Sequence, residues 1–240
     1  MTNETTATTA PRTCTPVLAQ FPGSDFIVGA GVAIFHIATA RVVICRAQDR
    51  GSTYYFLPKG RRDAGEESGP GAEREGYEES GYRNRLLPLP IPHRQPPAHP
   101  RTHASPLTAD AVWMQLLPIR TWQYILYWYI AETVPPAVEA ELAGEPGAPY
   151  KAPPRYPPGL TLRERITMEP VGYEPLHHEG TGVNEEEKAY ESELVSVEEA
   201  VGRLGKGTVS ADVVLRGWKG IQDRFAMEDA ATNESPGAIC

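Results

Sequence analysis

Gly60-Arg61-Arg62-Asp63-Ala64-Gly65-Glu66 and, after a gap, Arg74-Glu75-Gly76-Tyr77-Glu78-Glu79-Ser80-Gly81-Tyr82 form the stretch on which the reading of this chain turns. The second half reads as the end of a helix running from about Pro70 to Ser80. Pro70 is tolerated in a first turn, where its missing N–H costs little, and Gly81 is a natural stop. On that helix Glu75, Glu78 and Glu79 stand at i, i+3 and i+4 and share one face. Three carboxylates so close repel one another, and Arg74 offsets only part of that repulsion. A hard divalent cation among their oxygens would relieve it, and Glu66, from the preceding loop, can reach the same end. Taken alone, E-x-x-E-E is more often a solvated acidic face, so the weight falls on what surrounds it.

Working outward, Tyr54 to Leu57 is a short strand that runs into Pro58-Lys59-Gly60. Phe26 to Val28, Gly31 to Ile37 and Arg41 to Arg46 are apolar, β-branched runs that read as strands, with Cys45 as a small core residue. Arg83 to Pro88, Val112 to Ile119 and Trp122 to Glu132 are further strands. In the last, Tyr124, Leu126, Trp128 and Ile130 alternate with Ile125, Tyr127 and Tyr129. Both faces are apolar, so this strand belongs in the middle of a sheet. Ala189 to Val195 is a late strand. Ser196-Val197-Glu198-Glu199 fits a capping box, and Ser210 caps a last helix, Ala211 to Phe225, with Val213, Val214, Trp218, Ile221 and Phe225 at helical spacing. Residues 89–110 are a Pro/His/Arg loop, and residues 135–180, rich in Pro, Gly and charge, read as a long, poorly ordered insertion. The expected layout is a flexible tail over 1–20, a single domain over 21–226 with insertions at about 89–110 and 135–180, and a second tail over 227–240. Strands and helices in this order predict an α/β domain with helices packed on a mixed β-sheet.

The full spacing, G-x5-E-x7-R-E-x-x-E-E-x-G, resembles the Nudix box of pyrophosphohydrolases. Gly60, Glu66, Arg74, Glu75, Glu78, Glu79 and Gly81 fill all of its fixed positions, and Leu57-Pro58-Lys59 resembles the family's usual lead-in. The resemblance implies a Nudix-type α/β/α sandwich. It implies that Glu75, Glu78 and Glu79 hold one or more Mg²⁺ or Mn²⁺ ions, with the Gly60 carbonyl as an added ligand. It also implies that Arg74 orients Glu75, that Glu66 supports the site from the loop and that Gly81 lets the chain leave the helix. Glu78 or Glu79 is the first choice for the general base. Glu185, Glu186 and Glu187 are distal candidates, although a solvated run is the weightier reading of that triplet. Two positions depart from the pattern: Gly76 and Tyr82 stand where the motif has bulky aliphatic residues. Gly76 is expected to weaken the helix by about 1 kcal/mol relative to Ala and to leave a packing gap. Gly69-Pro70-Gly71 likewise sits where the family starts a sturdier helix.

The implied activity is metal-dependent cleavage of a phosphoanhydride in a nucleoside-diphosphate-linked or polyphosphorylated small molecule. Lys59, Arg61 and Arg62 flank the box glycine and are candidates for substrate phosphates. Their setting resembles family members that act on diphosphoinositol polyphosphates and dinucleoside polyphosphates; ADP-ribose, nucleotide sugars and oxidised nucleotides stay open. Residues 83–109 carry Arg83, Arg85, Arg94, Arg101, His93, His99 and His103 and no acidic residue. That bias suits a basic flap over an anionic substrate; an incidental surface insertion is the slightly weightier reading. Two other classes of function are compatible with the sequence. One is a Nudix-fold sensing or interaction module without turnover. The other is recruitment of protein partners through residues 152–158, which have the composition of a polyproline ligand.

The chain has 240 residues and a net charge of −8, a poor match for nucleic acid or an anionic membrane as general partners. Its 24 prolines and 22 glycines point to unpacked stretches. Cys14, Cys45 and Cys240 form no CxxC pair, so zinc is not expected, and a reduced cytoplasmic or nuclear setting is the natural one. The N-terminal residues lack the apolar stretch of a secretory signal, and Tyr124 to Ala131, the longest aromatic-aliphatic run, is too short to span a bilayer. Tyr124, Trp128 and Trp113 read as core, His177-His178 as exposed, and Gly29-Ala30-Gly31 as an incomplete nucleotide fingerprint.

Overall fold

The computed structural model describes residues 16–96, 106–144 and 150–233. Eight strands form one mixed sheet: β1 (Phe26–His36), β2 (Arg41–Asp49), β3 (Ser52–Phe56), β4 (Lys59–Arg61), β5 (Asn84–Leu86), β6 (Trp113–Ile119), β7 (Trp122–Thr133) and β8 (Glu191–Ser196). Its main order is β3-β2-β1-β7-β5, with β8 on β2, β4 on β1 and β6 on β7. The β1–β7 pairing is parallel and the other pairings are antiparallel. β7 lies inside the sheet, as its two apolar faces require.

The alternation along β1 builds both layers. Ala33 and Phe35 face one core with Leu126, Trp128 and Ile130 of β7 and Val213, Val214 and Ile221 of α5 (Val209–Asn233). Ala30, Val32 and Ile34 face the other core with Tyr129 and Ala131 of β7 and Ala72 of α1 (Ser68–Ser80). Helix α4 (Val197–Leu204) joins α5 on the first face through Ala200 and Leu204. The result is the expected three-layer α/β/α sandwich. Among the described residues no helix is long and apolar enough to cross a membrane.

Several local expectations shift. Helix α1 starts at Ser68 rather than Pro70, and it ends as expected on Gly81, whose φ of 70° lets its N–H reach the Tyr77 carbonyl at 2.8 Å. Position 76 holds no packing gap. A Cβ there would meet Asn84 Nδ2 at 2.6 Å and Val32 Cγ1 at 2.8 Å, so the amide of Asn84 fills the space an aliphatic side chain would take. That amide also donates to the Glu73 carbonyl at 2.9 Å, tying β5 to the helix. Gly76→Ala is therefore expected to lose about 1–2 kcal/mol in chemical denaturation, the strain of overpacking exceeding the gain in helix propensity. A rise in the denaturation midpoint would mean that Asn84 moves aside freely.

The last helix is capped by Thr208, whose Oγ1 accepts from Ala211 N at 3.2 Å, and not by Ser210, which lies inside the first turn. It continues past Phe225 to Asn233, so residues 227–233 are helix rather than tail. Arg224 pairs with Glu228 one turn on at 2.7 Å, which carries the helix through the polar stretch. At α4, Ser196 accepts from Glu199 N, but the Glu199 carboxylate turns to Arg203, so the expected capping box is half made. A complete box occurs at Thr161 and Glu164, at the start of α3 (Leu162–Thr167).

The segment 135–180 is a packed part of the domain wherever it is described. It forms α2 (Pro136–Leu142) and α3 and buries Leu142, Tyr156, Leu162 and Arg165. Sparse apolar anchors are enough because charge does the rest. The Arg165 guanidinium lies 2.7 Å from Glu132 and 2.9 Å from Glu169, and Glu169 meets the buried His36 at 2.9 Å. Arg85 takes the other oxygen of Glu132 at 2.7 Å. Within the Pro-rich stretch 152–158, Pro153 and Tyr156 are buried, and Tyr156 lies beneath the guanidinium groups of Arg85 and Arg224. Pro154, Pro157 and Pro158 of the same stretch are exposed.

The loop 89–110 is closed at its base by Leu89 and Thr108, which exchange two backbone hydrogen bonds of 2.9 and 3.0 Å. Two of the four arginines assigned to a basic flap are elsewhere: Arg85 is buried against Glu132, and Arg83 pairs with Glu139 at 3.1 Å. Arg94 and His93 are exposed, while Arg101, His99 and His103 lie outside the described residues, as do Cys14 and Cys240. His177 and His178 are half-buried rather than exposed, and His178 contacts Glu139 at 2.6 Å.

Candidate active site

Helix α1 and the β4–α1 loop bring the box residues together. Arg74 is the hub. Its Nε and Nη2 donate to the two oxygens of Glu66 at 3.0 and 2.8 Å, a bidentate pair. Nη1 donates to Glu75 at 2.9 Å and to Glu78 at 2.8 Å, and Nη2 also reaches the Arg61 carbonyl at 3.0 Å. Glu66 is fixed further by the Asp63 N–H at 2.8 Å, and Arg62 caps the Glu66 carbonyl. Burial raises the Glu66 carboxyl, but the Arg74 bonds and the Asp63 N–H outweigh it and hold it below the usual range.

Glu79 lies one turn on and accepts from the Lys59 backbone N–H at 2.6 Å, which links the lead-in to the helix. Glu75 lies against Gly60: a Cβ at Gly60 would stand 1.9 Å from a Glu75 oxygen, so only glycine leaves that carboxylate its place. The Gly60 carbonyl accepts from the Tyr124 hydroxyl at 3.0 Å. Glu78 is braced through its backbone carbonyl by Thr181 at 2.9 Å.

Burial pushes the Glu75 carboxyl up to about 7 and the Glu79 carboxyl up to about 8, and it raises Glu78 as well. Arg74 counters this at Glu75 and Glu78, and Lys59 at Glu79, while Glu187 adds repulsion at all three. A carboxyl whose folded value exceeds its unfolded one loses protons less readily in the fold. Ionisation there weighs against the folded chain as pH rises from about 4.5 toward 8. Burial is thus what makes ionisation costly in the cluster, with mutual repulsion adding to it. Among the described residues no three His, Cys, Asp or Glu side chains stand ready-spaced around a metal ion; Arg74 bridges Glu66, Glu75 and Glu78.

Of the distal triplet, Glu187, in the turn Glu187–Ala189, lines a recess with Glu78 and Glu79, its oxygens accepting from Val183 N and Asn184 Nδ2. Glu185 pairs with Lys188, and Glu186 lies against Tyr190 in a neighbouring cleft. Lys59 is half-buried beside Glu79, while Arg61 and Arg62 are exposed on the rim. Tyr124 packs against the core, as its place in the strand predicts, and also carries its hydroxyl to the site, where burial pushes that hydroxyl up to about 12. Only the strand register, which sets β1 beside β7 and beneath Tyr124, reveals that role.

A scan against protein-family models and a search of curated proteins return no match. Among solved structures, the chain is similar to a NUDIX hydrolase from Nitrosomonas europaea at 11% identity, over 85% of this chain and 90% of that one, with a TM-score of 0.38. It is also similar to the E. coli ORF135 protein at 10% identity, over 88% of this chain and 97% of that one, with a TM-score of 0.37. Likeness at this level carries no inference about chemistry.

Proposed function

We propose that this chain is a divalent-metal-dependent pyrophosphohydrolase of the Nudix type. One observation carries the reading: Arg74 gathers Glu66, Glu75 and Glu78 by charge-assisted bonds on α1, Glu75 packs against Gly60, and Glu79 stands one turn on, with two of these carboxyls raised by burial. All the donors are hard oxygens, the set that Mg²⁺ or Mn²⁺ takes. Glu75, Glu78, Glu79 and the Gly60 carbonyl would hold the ion. Bound there, it would screen the charge of a phosphoanhydride and make water a better nucleophile.

The chain's own groups would do the rest. Arg74 keeps Glu75 and Glu78 oriented by charge-assisted bonds, and Glu66 keeps Arg74 in place. Glu78 or Glu79 would take the proton from water; a raised carboxyl is suited to that, since proton transfer is most effective when the base titrates near working pH. Glu187, in the same recess as Glu78 and Glu79, is the distal alternative. Lys59, Arg61 and Arg62 would meet the phosphates of an anionic small-molecule substrate. The test is a hydrolysis screen of the pure protein with Mg²⁺ or Mn²⁺. Its panel holds inositol pyrophosphates, dinucleoside polyphosphates, ADP-ribose, nucleotide sugars and nucleoside triphosphates. Metal-dependent release of phosphate or a phosphomonoester from one class is expected; a folded protein silent on all of them would point instead to a module without turnover.

A further inference from the structure

We propose that the outer edge of β6 pairs with the same edge of a second copy of this chain, antiparallel and about a twofold axis at Gln115. This goes beyond the activity and does not depend on it. Among the described residues β6 pairs with β7 alone, which leaves its other edge unpaired. The turn decides which backbone groups that edge presents. Ile119 and Trp122 flank the two turn residues Arg120 and Thr121, and a turn of that length bonds the residues on either side of it. Hydrogen-bonded pairs then alternate back along the hairpin to Trp113, so the N–H and C=O of Met114 and Leu116 point away from β7. Such an edge is normally guarded by charge. Between Asp110 and Arg120 there is no charged residue, and Met114 and Leu116, on one face of the strand, are 49% and 38% exposed.

The strand is complementary to itself in one register. Met114 of one copy stands against the partner's Leu116, apolar against apolar, and their outward N–H and C=O groups exchange bonds. Pro118 has no N–H to offer. This register sets it opposite the partner's Val112, and the Val112 N–H is already given to the Trp128 carbonyl at 2.8 Å. No donor is stranded, and the pairing stays confined to the middle of the strand. Charge completes the match. The uncharged run ends in Asp110 on one side and Arg120 on the other, both exposed. Antiparallel pairing about Gln115 brings Asp110 of each copy to the partner's Arg120, and the twofold axis makes that contact twice. A parallel pairing would set Asp110 beside the partner's Asp110. The occupant that fits the edge by shape, hydrogen bonding and charge is therefore this chain itself.

Sedimentation equilibrium of the full chain, without added metal, tests the assignment. The parent is expected to associate to a closed dimer, and Leu116→Lys, at an exposed position, to weaken association by about tenfold or more. Asp110→Arg alone and Arg120→Asp alone should each weaken it by about tenfold, since both ends of the dimer then join like charges. An equimolar mixture of those two variants should recover the parent's affinity, because every end again joins an arginine to an aspartate. That recovery also shows that both variants are folded. A parent that stays monomeric would overturn the proposal and leave the edge to a strand of another protein. Growth beyond two copies, a dimer indifferent to Leu116→Lys, or a mixture no tighter than its components would overturn it as well.

Discussion

Glu78→Gln is expected to lower kcat with Mg²⁺ by at least about a hundredfold, the lower end of what a positioned acid–base group contributes, while leaving the fold intact. The substitution keeps the side chain's shape and an oxygen that Arg74 can still donate to, at the position where the carboxylate now accepts at 2.8 Å. It removes the negative charge and the basic oxygen. Because burial raises the Glu78 carboxyl, its ionised form is a burden on the metal-free fold. The variant should unfold at the same denaturant concentration as the parent or slightly later. That split, activity lost with stability kept, distinguishes a site carboxylate from a structural one. Steady-state rates across a Mg²⁺ titration, beside an unfolding curve, would show it. Full activity in the variant would remove Glu78 from the site.

Glu132→Ala should have the largest effect on stability, a loss of about 3–5 kcal/mol, as when one partner is removed from a buried ion pair. Glu132 is fully buried, and its two oxygens meet Arg85 and Arg165. Without it, two guanidinium groups would stay buried and only partly compensated, since Arg165 keeps Glu169 and the Thr133 carbonyl. The exposed Arg163–Asp229 pair offers the contrast: it too holds α3 against α5, yet water screens it, and Arg163→Ala should barely move the unfolding midpoint. Denaturant melts of both variants give the comparison. Equal effects would mean that the buried chain of charges is not what holds the 135–180 segment.

The sheet and its two cores are legible because period-2 alternation along β1 and β7 states which side chains face which layer. The Glu75, Glu78, Glu79 face follows from helical spacing in the same way. Three things escape a local reading, each because it depends on residues distant in sequence. Gly76 reads as a defect until Asn84 is seen to occupy its space. Tyr124 reads as core until β7 is set beside β1 and its hydroxyl meets Gly60. The segment 135–180 reads as unpacked because composition counts apolar residues, whereas Arg165 and Tyr156 anchor it through charge and cation–π contact. The C-terminal end of α5 escapes for a more local reason: the polar run after Phe225 follows an Arg224–Glu228 pair that a hydrophobic pattern does not register.

The paired backbone bonds between Leu89 and Thr108 have a consequence for how such a chain can change over time. They hold the two ends of the intervening stretch together, so the sheet does not register how much chain lies between them. Each doubling of a flexible loop's length adds only about 0.6 kcal/mol of closure entropy. Insertions past Ile91, which packs against the first core beside α5, would therefore be nearly neutral to folding. Length is free to drift at this point, and a new surface can be tried there without touching either core.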